Sequence, residues 1–335
     1  MAYSPGMIER LLAPILVLVL GLPAWSQDIL SPRMLNERSY SETYTAIADL
    51  EGDQYLQVQV GVSNLGLSKG RGGCRLLLLE KDELVAKEEI KVDRDDWAYH
   101  AGETSRLDLG RCALSRGATT VFTGSFDAMS VTLTLDGSSA PVRPPSGRIE
   151  VGDAFYESDV MAPWAAATLQ IGDERDGGRT LQGFGYADHS RSTTLPAKLA
   201  SRWFRFRGLA ESGSLLVLAR FPPRSKGETP RPDGWIWAQG QAAPVALRDL
   251  TLERVGDDDT AWRVSAESVN GEVYALFTER PIYRLAPVED QGFLGRMLKG
   301  VIGNPVTRTF RAIARRGVGS GTGLAGIAEV TIVAD

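Results

Sequence analysis

The sequence predicts an all-β protein made of two consecutive antiparallel β units with few short helices. Residues 54–63 read QYLQVQVGVS, in which leucine or valine occupies every second position. Residues 130–136, SVTLTLD, alternate in the same way. Such alternation is typical of antiparallel sandwiches and barrels, whose sheets bury one face. Helical periodicity is scarce, and one proline-rich stretch separates two strand-rich halves.

The other candidate strands are short apolar or alternating segments bounded by turn residues. They are 40–50, 73–80, 119–127, 166–173, 179–187, 201–208, 214–221, 234–238, 247–254, 261–267, 272–280 and 326–333. The sequences DGG at 176–178 and NG at 270–271 stand between strands and predict hairpin turns.

Residues 137–148, GSSAPVRPPSGR, break the strand pattern. Proline cannot donate to a β-ladder, so this run should leave the sheets. We therefore predict a first β domain at 27–140, a linker at 141–148 and a second β domain at 149–335.

Residues 1–26 have the layout of a secretory signal peptide. Charged residues precede the apolar run LLAPILVLVLGL, and the small residues of AWS stand before Gln27. An uncleaved N-terminal anchor is the alternative. No later segment reaches about 18 consecutive apolar residues. We therefore expect an exported protein, periplasmic or extracellular, that is soluble after signal cleavage.

Cys74 and Cys112 are the only cysteines in the chain. In an oxidising compartment two thiols often pair, and this pair would close a loop within the first domain. Two buried free thiols are the alternative, because the sequence does not show how far apart the two Cα atoms lie.

Residues 289–304, EDQGFLGRMLKGVIGN, repeat apolar residues at helical spacing. One interpretation is a short helix that covers the end of a barrel. The other is a lid or a membrane-touching helix beside an apolar cavity. Its glycines would lower the stability of either helix.

The composition excludes several functional classes. The net charge is −5 and no basic stripe appears, which argues against nucleic acid as a partner. Two histidines and two cysteines do not easily build a zinc site, and GxSxG and Walker motifs are absent. We expect no metal and no cofactor.

Aromatic residues at alternate positions are candidates for a ligand pocket. Trp235 and Trp237 share one face of a predicted strand, and Trp203 and Arg205 share one face of another. These side chains could pack in a core. Alternatively, they could line a barrel lumen that holds a long apolar ligand, with an arginine at its mouth.

Residues 183–192, GFGYADHSRS, contain one of the two histidines. On a regular strand Phe184, Tyr186 and Asp188 share one face, and His189 points to the other. A direct Asp–His pair would need a bulge. Three interpretations follow: a structural polar network, a site for a ligand headgroup, or an acid catalyst.

Two longer stretches resemble a known family. YSETYTAIADLEGDQYLQVQVGVSNLG at 40–66 and LQGFGYADHSRSTTLPAKLASRWFRFRGL at 181–209 are similar to the AttH/Svf1-like lipocalin-related family, a group related to carotenoid 1,2-hydratases (hydroxyneurosporene synthases). The resemblance covers nearly the whole mature chain and implies two consecutive lipocalin-like β-barrels.

The resemblance also implies functions. The hydratases add water to an isoprenoid double bond, and the Svf1 branch is associated with lipid handling. Asp188 would match the proton donor or its close partner, with Tyr186 and His189 as neighbours. Here Ser190-Arg191-Ser192 replaces the aromatic residue and glycine that often follow in hydratases. An arginine at this place would tend to keep Asp188 ionised.

We therefore expect an exported carrier of a hydrophobic lipid or isoprenoid, with transient membrane contact through 289–304. The expected ligand-binding residues are Phe184, Arg191, Trp203, Arg205, Trp235 and Trp237. A carotenoid 1,2-hydratase-like enzyme or a cyclase is the alternative, with Asp188, His189 and Tyr186 as catalytic residues. A structural or interaction protein with filled barrels is the third hypothesis.

Overall fold

The computed structural model describes residues 28–65, 69–127, 129–137, 139–172, 178–211, 213–224, 230–256, 260–286, 304–317 and 323–333. The predicted signal peptide and residues 289–303 of the predicted helix lie outside these ranges. In the described residues no helix has the length and apolar character needed to cross a membrane.

Twelve strands of the described chain form a sheet curled into a half-barrel. They are β1 Ser41–Leu50, β2 Gln54–Ser63, β3 Arg71–Glu80, β4 Glu83–Val92, β5 Ala98–His100, β6 Ser105–Asp108, β7 Cys112–Arg116, β8 Thr119–Ser125, β9 Ser130–Asp136, β10 Arg148–Val151, β11 Ala154–Gly172 and β12 Arg179–Ser192. The order is β4-β3-β2-β1-β12-β11-β9-β8-β7-β6-β5, and β10 pairs with β11.

Eight further strands close into an antiparallel barrel within the described residues. They are β13 Arg202–Gly208, β14 Leu215–Phe221, β15 Asp233–Ala238, β16 Val245–Arg254, β17 Trp262–Ser268, β18 Val273–Leu285, β19 Val306–Arg316 and β20 Leu324–Ile332. The strands follow chain order, and β20 pairs with β13 to close the ring. A short helix, α1 Pro196–Leu199, precedes β13.

The predicted all-β class is confirmed, and the described chain passes from one sheet to the other after Ser192. Strands on both sides of residues 141–148 belong to the half-barrel, because β11 pairs with both β9 and β12. Pairing of β12 with β1 then joins residues 179–192 to the first strand of the chain. The linker at 141–148 stays a prediction as a boundary between folding units.

Both sheets fill their interiors with apolar side chains. Inside the half-barrel lie buried residues such as Leu56, Val58 and Leu76. Cys74 and Cys112 belong to this core and form a disulfide, with their Cα atoms 6.6 Å apart. Of the two alternatives that the sequence allowed, a disulfide or two free thiols, the structure has the disulfide.

Large side chains occupy the interior of the closed barrel. Phe204, Phe206, Trp262 and Phe310 are almost fully buried there. Trp203 and Arg205 alternate with the two β13 phenylalanines, so they point outward. Trp203 and Arg205 therefore do not line the barrel lumen, because phenylalanine takes the inward positions of β13. Ligand binding by these residues stays a prediction.

Candidate functional site

Strand β12 separates two polar regions. Ala187, next to Asp188, is part of the half-barrel core, and Asp188 faces a crevice shared with the closed barrel. His189 lies on the core side with Arg191. The prediction that Asp188 and His189 point to opposite faces is confirmed, since β12 stays in regular register with Thr45 and Tyr44 of β1.

The crevice between the half-barrel and the closed barrel has a volume of about 240 Å³. Strands β1, β2, β11 and β12 form one wall, and β13, β14, β18, β19 and β20 form the other. Its lining residues are Thr43, Thr45, Gln57, Gln59, Tyr156, Ser158, Asp188, Ser190, Arg205, Arg207, Leu218, Tyr283, Leu285, Thr307, Thr309 and Glu329. The crevice therefore combines a polar centre with some apolar surface.

A buried ion pair lies on the barrel wall of this crevice, next to Asp188. Arg207 Nη1 donates to Glu329 Oε2 at 2.9 Å, and Gln57 Nε2 donates to Glu329 Oε1 at 3.2 Å. The Arg207 guanidinium also stands 4.9 Å from the centre of the Tyr186 ring. These contacts connect the half-barrel to the barrel and fix the polar wall around Asp188.

Asp188 combines burial with weak charge compensation. Burial raises the pKa of Asp188, and Arg207, a hydrogen bond from Tyr186, and Arg205 oppose the shift only in part. Among the described residues, no guanidinium nitrogen lies within 4.0 Å of its carboxylate. Asp188 thus favours the protonated form more than an ordinary aspartate does, which a general acid requires.

The arginine that follows in the sequence does not act on Asp188 as expected. Arg191 follows His189 by two positions on β12, so both side chains lie on the core side. There Arg191 donates to Glu42 and Glu157. Its charge is already compensated there. The expectation that Arg191 keeps Asp188 ionised is therefore wrong, because strand alternation directs the two side chains apart.

On the core side, Glu42 is the centre of a hydrogen-bonded network. Its Oε1 contacts His189 Nε2 at 2.7 Å and accepts from Arg191 Nη2 at 2.9 Å. The hydroxyl of Tyr40 donates to the same carboxylate, and the ring of Tyr44 stacks on His189. Burial alone would raise the pKa of Glu42, but His189 and Arg191 lower it to about 2.

The other predicted residues lie on the surfaces that join the two sheets. Trp235 and Trp237 pack in one buried cluster with Tyr186, and Phe184 contacts this cluster. Trp237 meets Trp164 edge to face at 5.1 Å. Trp203 packs at 5.8 Å from Tyr156. Of the predicted residues, only Asp188 and Arg205 line the crevice.

Most residues that line the crevice were not among the candidates, and three of them show what signal the sequence offered. Arg207 belongs to the same alternation as Arg205, and Glu329 interrupts the apolar strand GIAEVTI. A charged residue in an apolar strand is an available signal, because such residues are seldom buried unless paired. Tyr156 gave no such signal, since it lies outside the predicted strands.

The fold is similar to several solved structures. The crystal structure of CghA with Sch210972 has a TM-score of 0.61 at 14% identity, covering 88% of each chain. A proposed AttH from Nitrosomonas europaea has a TM-score of 0.60 at 12% identity, covering 93% of this chain and 98% of the other. Kievitone hydratase from Nectria haematococca has a TM-score of 0.54 at 11% identity, covering 92% and 94%.

These structures confirm the resemblance drawn from residues 40–66 and 181–209 at the level of the fold, since an AttH stands among them. No protein-family model matches the sequence, and no curated protein matches it.

Proposed function

We propose that the protein is exported and binds a hydrophobic lipid or isoprenoid, with the polar end of the ligand in the crevice beside Asp188. The crevice itself is the observation that carries this proposal. We place the ligand in the crevice and not in the barrel lumen, because large buried side chains occupy the lumen. A volume of about 240 Å³ suits a compact ligand or the polar end of a longer one.

The chemistry of the walls supports a ligand with both polar and apolar parts. Arg205 and Asp188 can meet a hydroxyl or carbonyl group. Leu218 and Tyr283 belong both to the crevice wall and to the apolar clusters that pack the sheet against the barrel. An isoprenoid chain could continue along these clusters.

Extraction of the purified protein followed by mass spectrometry tests binding. We expect the same apolar compound in independent preparations. Leu218→Trp should remove it by filling the crevice, whereas Val255→Trp, at an exposed position outside the crevice lining, should retain it. Absence of any co-purified or exchangeable apolar compound in the wild-type protein would contradict the proposal.

A second candidate function is acid catalysis on an isoprenoid, as a hydratase or a cyclase. The raised pKa of the Asp188 carboxyl favours this candidate. A protonated Asp188 would give its proton to one carbon of a double bond, which leaves a carbocation on the other carbon. Water would add there and return a proton to Asp188. Alternatively, a second double bond would close a ring, and the new carbocation would lose a neighbouring proton to the Asp188 carboxylate. One of the similar folds is a hydratase.

Incubation with isoprenoid alkenes in ¹⁸O-labelled water tests this reaction. We expect the label in a tertiary alcohol, and Asp188→Asn should abolish its formation without loss of the fold. Asp49→Asn is the matched control, because burial also raises the pKa of Asp49, to about 6, outside the crevice lining. Equal turnover by Asp188→Asn and the wild type would exclude Asp188 as the acid.

A further inference from the structure

A second cavity, of about 630 Å³, lies at one end of the half-barrel, on the opposite face of β12 from the crevice. Its walls come from residues 28–33, the turn at 102–105, the end of β7, the segment at 141–143, and β11 and β12. The lining residues are Asp28, Ile29, Arg33, Gly102, Glu103, Ser105, Arg116, Gly117, Pro141, Arg143, Glu157, Asp159, His189 and Arg191. We call it the end cavity.

Three carboxylates of the end cavity already have hydrogen-bond partners, and two of them pair with arginines. Glu157 accepts from Arg191 at 2.5 Å and from Arg148 at 2.9 Å. Asp159 accepts two hydrogen bonds from Arg143, at 2.9 and 2.7 Å. Asp28 accepts from the hydroxyl of Tyr99 and from a backbone N–H. These groups have little capacity left to compensate a further cation.

Arg116 is the cation that these pairs leave uncompensated. Within the described residues, no carboxylate oxygen lies within 4.0 Å of its guanidinium, and its Nη2 donates to the carbonyl of Ser139. Its Nε is buried without a hydrogen-bond partner. Burial lowers the pKa of Arg116, and the charge of Asp28 offsets only part of the shift. A half-buried guanidinium whose buried Nε lacks a partner offers donors to an anion.

The cavity around Arg116 also offers space and apolar contact. Ile29 and Pro141 contribute carbon surface, and Arg33 adds a second guanidinium whose nearest carboxylate contact, to Glu157, is 3.8 Å. The planar fork of an arginine matches a carboxylate with two parallel hydrogen bonds. A volume of about 630 Å³ is that of a small-molecule site rather than of an inorganic ion site.

We infer that the end cavity binds a small organic molecule through a carboxylate, which pairs with Arg116 and Arg33. This ligand differs in chemistry and place from the apolar ligand proposed for the crevice. The two sites lie back to back on β12, so each can be removed without touching the other.

Isothermal titration with benzoate, hexanoate and citrate, at constant ionic strength set with chloride, tests the inference. We expect saturable binding of at least one carboxylate, and about tenfold weaker binding of benzyl alcohol than of benzoate. Arg116→Gln should weaken the carboxylate about tenfold and leave benzyl alcohol unchanged. No saturable binding by any of the three carboxylates would overturn the inference, as would equal binding by Arg116→Gln.

Two controls locate the effect. Arg111→Gln removes an exposed arginine that pairs with Asp127 outside the end cavity, and it should bind carboxylates like the wild type. Asp188→Asn should also bind them unchanged, which separates this site from the crevice. If Arg116→Gln does not fold, amide chemical shifts of the wild-type protein decide. Benzoate must perturb residues 28–33 and 102–117, and perturbation confined to other residues would overturn the inference.

Discussion

The two faces of β12 bury carboxylates with opposite properties. On the core side, His189 and Arg191 hold the pKa of Glu42 at about 2 against the effect of burial. On the crevice side, burial raises the pKa of Asp188 because Arg207, Tyr186 and Arg205 compensate it only in part. The comparison shows that direct donors, and not burial alone, decide the charge state of a buried acid.

The difference separates structure from function. Glu42 and its donors tie β1 to β12 and hold the N-terminal segment, where Arg33 N donates to the same carboxylate. Because His189 and Arg191 keep the Glu42 carboxylate ionised, Glu42 is a poor acid catalyst. Among the described residues, Asp188 has no ion-pair partner within 4.0 Å, and it faces a crevice. Acids with perturbed pKa values in clefts are candidates for functional sites.

The largest expected effect comes from breaking the core-side network. Glu42→Gln leaves Arg191 and His189 with less compensation in a buried site, so the free energy of unfolding should fall by about 3 kcal/mol. Urea denaturation near neutral pH measures the change. A loss below about 1 kcal/mol would contradict the importance of this network for stability.

The pH dependence of the same variant sharpens this prediction. A lowered pKa means that Glu42 stabilises the fold above its ordinary pKa of 4.5, and that this contribution disappears as the pH falls toward about 2. The stability difference between wild type and Glu42→Gln should therefore shrink on acidification through this window. A constant difference would show that charge plays no part.

Asp188→Asn should have a smaller effect, of opposite sign. Because its folded-state pKa is raised, ionisation of Asp188 costs stability as the pH rises above its ordinary value of 3.8. The variant should gain stability relative to the wild type on going from about pH 3 to about pH 8. Urea denaturation across this range tests the sign. A relative loss toward high pH would mean that the carboxylate is well compensated.

The smallest expected effect comes from an exposed pair. Arg71 Nε donates to Asp93 at 3.0 Å, and both side chains are largely exposed to solvent. Asp93→Asn should change the free energy of unfolding by less than about 0.5 kcal/mol, since water already solvates both charges. If Asp93→Asn lowered the free energy of unfolding as much as Glu42→Gln does, burial would not explain why the two ion pairs differ.

Local pattern predicted much of the fold. The alternation in 54–63 and 130–136 corresponds to β2 and β9, and the opposed directions of Asp188 and His189 follow from the same period. The extent of β11 was not predictable in this way. It runs for 19 residues where the sequence indicated 166–173, because irregular register near Met161 and Pro163 interrupts its alternation.

The candidate site was predictable only in part. Asp188 and Arg205 were found from their own segments, but Glu329 and Gln57 are separated from them by long stretches of chain. Trp235 and Trp237 were correctly placed on one face of a strand. Which face of that strand turns inward depends on the closure of the barrel, where Ile236 joins the core.

The sequence by itself determined the all-β class, the sidedness of each alternating strand and the shared face of Tyr186 and Asp188, because these follow from the two-residue period of the backbone. Only the tertiary structure decided that β12 pairs with β1, that phenylalanines fill the barrel, and that Arg207 and Glu329 meet beside Asp188. Long-range pairing sets these contacts, and with them the effective dielectric and the donors that fix the protonation state of each buried acid.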